Sequence, residues 1–281
     1  MKLNFVKMQG AGNDYLFFDG FTQEIKDPAS LSVRLSPRGL SVGSDGIILV
    51  LPAESGDHDA KMRIFNADGS EAEMCGNGVR CVAKFLYEER GVKKDVLKIE
   101  TLGGLKTVGV SVEDGRVTSA RVAMGEADFA LSAVTKTPDA PELIDRPVRV
   151  GESTMRLTAL SVGNPHAVSF WEDIENLDLP RIGPAVENHP LFSERINAEF
   201  VRVISPTSLD IRIWERGSGE TLACGTGVSA SVAAAVKLGI CKKDTKVNVR
   251  VRGGLLAVEV TDDGIFLTGR FVTVYHGSVE A

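Results

Sequence analysis

Cys75-Gly-Asn-Gly-Val79 and Cys224-Gly-Thr-Gly-Val228 are the two stretches on which the reading of this chain turns. Each sets a cysteine directly before Gly-x-Gly and then continues into a helical pattern, running to about residue 90 in the first case and 238 in the second. The glycines permit positive φ and close backbone approach, so successive N–H groups can converge on one anion. A helix N-terminus adds partial positive charge at the same place. Such a field makes thiolate accessible from a thiol whose ordinary pKa is about 8.5. A lone cysteine at a helix start reads as a small buried residue; two in matched settings point to paired acid–base groups.

Working outward, an offset of 149 residues places Cys75 on Cys224 and also Glu71 on Glu220. Beyond these segments the halves look unrelated. A pseudo-repeat of about half the chain implies two similar lobes. Most of the remaining sequence reads as short strands: 3–8, 15–19, 46–51, 61–66, 96–101, 105–112 and 117–124, then 156–162, 166–171, 201–204, 209–214, 246–251, 255–260, 265–267 and 270–275. A short helix is expected at 30–35, with Ser30 as N-cap and Pro37 ending it, and residues 130–150, with Pro138, Pro141 and Pro147, read as a loop. The expectation is an α+β fold of two pseudo-symmetric lobes, each a mostly antiparallel curved sheet around a central helix. Lobe one would span 1–121, carry Cys75 and be completed by 272–281; lobe two would span 122–271 and carry Cys224.

The 281 residues, 43% hydrophobic and 25% charged, suit an ordinary globular enzyme. A net charge of -6 argues against a nucleic-acid surface, which needs clustered Lys and Arg. Lys2, Lys7 and Asp14 interrupt the N-terminal apolar stretch, and the apolar runs at 46–53 and 228–236 are too short to span a bilayer. The expected compartment is the cytosol, where the four cysteines stay reduced. Their spacing offers no C-x-x-C pair for zinc, and Cys81 and Cys241 read as packing residues.

Two thiols on opposite sides of one carbon suit 1,1-proton transfer: a thiolate removes the α-proton and a thiol returns one to the other face. Backbone donors at Gly76–Asn77 and Gly225–Thr226 would hold the charge that develops. No lysine stands in a setting that suggests a Schiff base, so no cofactor is expected.

The residues from Asn66 through Glu-Met-Cys75-Gly-Asn-Gly-Val-Arg to Cys81 resemble the first signature of the diaminopimelate epimerases. Glu215-Arg-Gly-Ser-Gly-Glu-Thr-Leu-Ala-Cys224-Gly-Thr-Gly227 is similar to the second. Gly10-Ala-Gly-Asn-Asp14, Gly163-Asn-Pro-His166 and Arg195-Ile-Asn-Ala-Glu-Phe200 resemble three further family segments, in the family's order. The resemblance implies cofactor-free epimerisation of LL- to meso-diaminopimelate for lysine and peptidoglycan precursors, by a homodimer whose lobes close over substrate. It makes Cys75 and Cys224 the acid/base pair, with His166 and Glu215 tuning the thiols. Substrate contacts follow at Asn13, Asn66, Asn164, Asn197 and Arg216, besides Glu215 and the helix starts, and Tyr275 marks a dimer contact. Gly46 departs from those relatives that use a glutamine there. A proline or hydroxyproline racemase shares the two-cysteine logic but typically carries histidine where this chain has Asn77. Phenazine-pathway relatives lack the cysteine pair. A redox switch that joins the two thiols, or an amino-acid-binding module that needs the clamp alone, are the readings from other classes.

Overall fold

Exposed Lys2 and Asn4 alternate with buried Leu3 and Phe5, which is the period of a strand with one wet face. That strand, β1 (Lys2–Gly10), turns through Ala11 and Gly12, both at positive φ, and pairs antiparallel with β2 (Asn13–Asp19). The computed structural model describes residues 2–135, 142–192 and 194–280. The chain divides into two compact units: Met1–Val122 together with Thr268–Ala281, and Ala123–Leu267.

The first unit continues with α1 (Pro28–Leu35), β3 (Gly46–Leu51), β4 (Ala60–Asn66), β5 (Glu71–Ala72), α2 (Gly76–Glu88), β6 (Val96–Thr101), β7 (Gly104–Glu113) and β8 (Arg116–Gly125). β2 and β3 pair in parallel and are buried nearly end to end, as expected of strands covered on both faces. Leu16, Phe18, Ile47 and Leu49 pack with Leu31 and Leu35 of α1. Ile48, next in sequence and so on the opposite face, meets Gly78 of α2. The C-terminal strand Val272–Glu280 closes this unit by pairing antiparallel with β1.

The second unit holds β9 (Arg146–Val150), β10 (Ser153–Ser161), β11 (Pro165–Phe170), α3 (Leu179–Glu187), β12 (Asn197–Ser205), β13 (Ser208–Glu215), β14 (Gly219–Thr221), α4 (Gly225–Lys237), β15 (Val247–Val251), β16 (Gly254–Thr261) and β17 (Gly264–Arg270). Its core joins Leu179 and Val186 of α3 to Leu157, Ala167 and Phe200 of the sheet.

The repeat runs deeper than two short motifs. In the first unit β1–β2 is antiparallel, β2–β3 parallel, β3–β4 and β4–β5 antiparallel, and β4–β6 parallel. β10 through β15 repeat that scheme, with β10–β11 antiparallel, β11–β12 parallel, β12–β13 and β13–β14 antiparallel, and β13–β15 parallel. Arg63 grips Glu71 at 2.6 Å, and Arg212, at the same offset, grips Glu220 at 2.9 Å. Each pair ties a long strand to the short one that leads into a cysteine.

Several local expectations are corrected. Asp27, not Ser30, caps α1: its carboxylate accepts from the Ser30 N–H, and Pro28 fills a first-turn position that needs no donor. α3 was not anticipated, because Pro180, Gly183 and Pro184 disguise it; the first proline is tolerated near the start, and Gly183 lets the Trp214 ring lie against the helix. Within the expected loop at 130–150, Leu131–Ala133 forms a 3-10 turn and β9 pairs antiparallel with β10, Pro147 included. Pro138 and Pro141 lie outside the described residues. β5 and β14 were also unforeseen, β12 starts at Asn197, and the C-terminal strand runs on to Glu280. No helix among the described residues is long and apolar enough to cross a membrane.

Candidate active site

Cys75 is the N-cap of α2: its backbone is extended, and its sulfur accepts the Gly78 N–H at 3.3 Å. At Gly78 a Cβ would come within 2.7 Å of Ile48 Cδ1, so the helix start packs close against β3. On the other side the thiol donates to Asn13 Oδ1 at 3.3 Å, while Asn13 Nδ2 donates to Asp45 Oδ2 at 2.7 Å. Asp45 accepts only, so it fixes which end of the Asn13 amide meets the sulfur. Burial pushes the Cys75 thiol up; the Gly78 and Asn77 N–H groups, the Arg80 charge and the Tyr15 hydroxyl oppose that. Tyr15 is buried beside Cys75 and pushed well above the usual phenol range, so it stays a neutral donor. Arg80 has no solvent exposure; it donates to Gly76 O at 3.0 Å and to Asn77 Oδ1 at 2.7 Å. Asn66 ends β4, its amide donating to Ser70 Oγ at 3.0 Å.

Cys224 caps α4 in the same extended conformation, with Thr226 Oγ1 3.3 Å from its sulfur. Burial drives this thiol well above its ordinary value; Glu215 adds to that, the Thr226 hydroxyl and the Gly227 N–H oppose it, and Glu199 raises it again. Glu215 ends β13 and accepts from Thr221 Oγ1 at 2.5 Å. Asn197 is held at both ends: Oδ1 accepts the Arg216 N–H at 2.8 Å, and Nδ2 donates to Pro165 O at 2.9 Å. Arg216 itself reaches Glu194 O at 2.9 Å. His166 is wholly buried in β11, its Nδ1 2.7 Å from Glu199 Oε1 and its Nε2 2.8 Å from Asn164 Oδ1. Both ring nitrogens are thus occupied by groups other than a cysteine.

The first unit therefore collects Asn13, Cys75, Gly76 and Asn77; the second collects Asn164, His166, Asn197, Glu215, Arg216, Cys224, Gly225 and Thr226. Gly46 stands at φ +155 with the Phe65 carbonyl 2.1 Å from where a Cβ would sit, so this backbone admits no side chain there. Tyr275 is 41% exposed and sets its ring edge-on to Phe5 at 5.9 Å. Sequence reasoning missed Tyr15, Asp45, Arg80 and Glu199.

A family model described as diaminopimelate epimerase matches residues 5–130 and 158–279. A protein of Methanothermobacter thermautotrophicus named diaminopimelate epimerase is 51% identical over 280 residues, covering 97% of this chain and 97% of that protein. One of the same name from Desulfovibrio desulfuricans is 46% identical, covering 98% and 97%. Among solved structures, a hydroxyproline epimerase of Agrobacterium vitis aligns with TM-score 0.71 at 18% identity, covering 99% of this chain and 92% of that one. A phenazine-biosynthesis-family protein of Bacillus anthracis aligns with TM-score 0.69 at 18% identity, covering 100% of both. At that identity the structural likeness speaks for the fold alone, whereas the full-length sequence matches carry the assignment. This chain belongs to the diaminopimelate epimerase family.

Proposed function

We propose that this protein interconverts LL- and meso-2,6-diaminopimelate by passing the α-proton between two cysteines, without a cofactor, on the route to lysine and peptidoglycan precursors. The observation that carries the reading is the repeated N-cap cysteine: Cys75 and Cys224 each stand where the free N–H groups of a helix start can serve an anion. One sulfur, as thiolate, takes the α-proton; the other, as thiol, gives its proton to the opposite face of the same carbon, and the two protonation states exchange. The electron pair left on carbon spreads into the adjacent carboxylate, whose oxygens are held by the N–H groups at Gly76–Asn77 and Gly225–Thr226.

The far end of the substrate carries a second carboxylate and ammonium. Arg216 pairs with that carboxylate, and Asn13, Asn66, Asn164, Asn197 and Glu215 supply the remaining donors and acceptors. His166 and Glu215 set the field in which the thiols change charge. Four free thiols favour a reducing, cytoplasmic setting. Exposed Val272, Val274 and Tyr275 along the C-terminal strand favour a homodimer through that strand.

Purified, reduced protein is given LL-diaminopimelate with no added cofactor, and the meso isomer is followed by NMR with proline as the control. Meso isomer from diaminopimelate and inert proline support the reading. Racemised proline with unchanged diaminopimelate would move the protein to the proline-racemase type.

A further inference from the structure

Three N–H groups from separate parts of the second unit converge on one buried side chain. Glu187, the last residue of α3, is 6% exposed. Its Oε1 accepts the Gly217 N–H at 2.9 Å and an Arg195 guanidinium N–H at 3.0 Å. Its Oε2 accepts the Trp214 indole N–H at 2.7 Å. A backbone amide, a guanidinium and an indole can only donate, so chemistry fixes the direction of every bond. Serving all three takes two acceptor oxygens; a glutamine has one, and would turn its NH2 on a donor.

These bonds grip the segment 214–217 at its two ends, and between them lie Glu215 and Arg216. Glu215 has its own anchors: it still pairs with Gly219 in the β13–β14 ladder, and its carboxyl group accepts from Thr221. Arg216 lies past the last ladder partner. Its N–H goes to Asn197 Oδ1 at 2.8 Å, and the next N–H along the chain is the one that Glu187 holds. Gly217 then turns the backbone at φ +79. A long side chain delivers its head group to a fixed point only from a fixed Cα, and these two bonds fix it.

The first unit makes the same turn without an acid. α1 lies between the parallel pair β2 and β3, as α3 lies between β11 and β12. At the offset of 149, Asn66 and Gly69 correspond to Glu215 and Ser218. Both turns close by the same bond, Gly69 N–H to Asn66 O at 2.9 Å and Ser218 N–H to Glu215 O at 3.0 Å. There α1 offers the Ser32 hydroxyl, which donates to the carbonyls of Phe65 and Asn66 at 3.1 and 2.7 Å. Where the second turn carries Arg216 the first carries Ala67. A neutral hydroxyl is enough to seat the turn; the acid accompanies the arginine.

We propose that Glu187 is a positioning residue for Arg216, holding the 214–217 segment so that the guanidinium meets the carboxylate at the far end of the substrate. It thereby serves selection of that end rather than proton transfer. The substrate in this inference rests on the diaminopimelate reading; the grip on the segment does not.

Hydrogen–deuterium exchange of the full-length protein, read by mass spectrometry, tests the grip without turnover. Glu187→Gln should speed exchange across 214–221 by about tenfold and leave 65–72, the matching turn of the first unit, unchanged. Kinetics test the purpose: E187Q should raise KM for LL-diaminopimelate about tenfold and change kcat by less than about threefold. In an Arg216→Met background the same substitution should add less than about twofold to KM, because the group it positions is gone. Trp214→Phe keeps a ring against Gly183 and loses only the indole N–H, so it should move exchange and KM the same way by less, and it carries the test if E187Q does not fold. Unchanged exchange and KM in the folded variants overturn the proposal. So does exchange that rises equally in both turns, or a KM effect undiminished in the Arg216→Met background. Wild-type protein inert toward diaminopimelate overturns the substrate, and with it the purpose given to Arg216, whereas local exchange still decides the grip.

Discussion

The first turns of α2 and α4 are built on one plan and charged in opposite ways. In both, a side chain four residues past the first helical glycine donates back to that glycine's carbonyl: Arg80 to Gly76 at 3.0 Å, Ser229 to Gly225 at 2.9 Å. The bond is equivalent, but one donor carries a buried positive charge and the other none. Across each helix start stands Ile48 in one unit and Glu199 in the other. Cys75 therefore has a guanidinium as its charged neighbour, and Cys224 has Glu215 and Glu199. Burial raises both thiols; the Arg80 charge opposes the rise at Cys75, whereas Glu215 and Glu199 add to it at Cys224. A duplicated scaffold supplied two similar N-caps, and a few buried side chains made them unequal.

Removing either sulfur breaks the comparison most severely. Cys75→Ala and Cys224→Ala should each lower turnover by about 10²- to 10⁴-fold, the range for loss of a positioned acid or base. With both groups in one proton relay, as proposed, the double variant should be scarcely worse than either single one. Circular dichroism checks that the fold survives; a single variant with near-normal turnover would remove that cysteine from the chemistry.

The two glycines offer a smaller contrast. Gly227→Ala pushes a methyl against the buried Glu199 carboxyl group, held 2.7 Å from His166 Nδ1, and should cost about 1–3 kcal/mol in urea unfolding. Gly78→Ala pushes against the terminal methyl of Ile48, which can give way more easily, and should cost less. Equal costs would mean that Glu199 is not held firmly.

Alkylation by iodoacetamide, followed for each cysteine by mass spectrometry across pH, sharpens the electrostatic difference. A raised pKa means that thiolate, the reactive form, accumulates only at higher pH. The Cys224 midpoint should thus lie above that of Cys75, with Cys81, pushed up to about 12, higher than the ordinary thiol range. Midpoints report ionisation whatever the access to each sulfur. Arg80→Met should bring the Cys75 midpoint upward and leave Cys224 where it is.

Much of this was legible in the chain. The cysteine-glycine motifs marked both central helices, β3 shows as a short continuous apolar run, and β6 shows in plain alternation. What stayed hidden has physical reasons. β5 and β14 have two and three residues, too few for any period to show. Prolines concealed α3 and β9: Pro180 stands in the first turn, where no donor is needed, Pro184 lies inside the helix, and Pro147 sits within the strand that pairs with β10. The repeat of strand pairing was invisible because pairing is made by backbone, and the side chains have diverged. Arg80 and Glu199 looked like the polar faces of their elements; only the fold shows that both point inward.

If two separate thiols handle the proton, deuterium will distinguish the two faces of the α-carbon. LL-diaminopimelate is turned over in deuterium oxide, and early samples are divided into remaining substrate and product. The meso product should carry α-deuterium, because the donating thiol has exchanged with solvent, while unreacted LL substrate keeps its protium. Deuterium appearing in the LL substrate as fast as in the meso product would mean that one group serves both faces, and would contradict it.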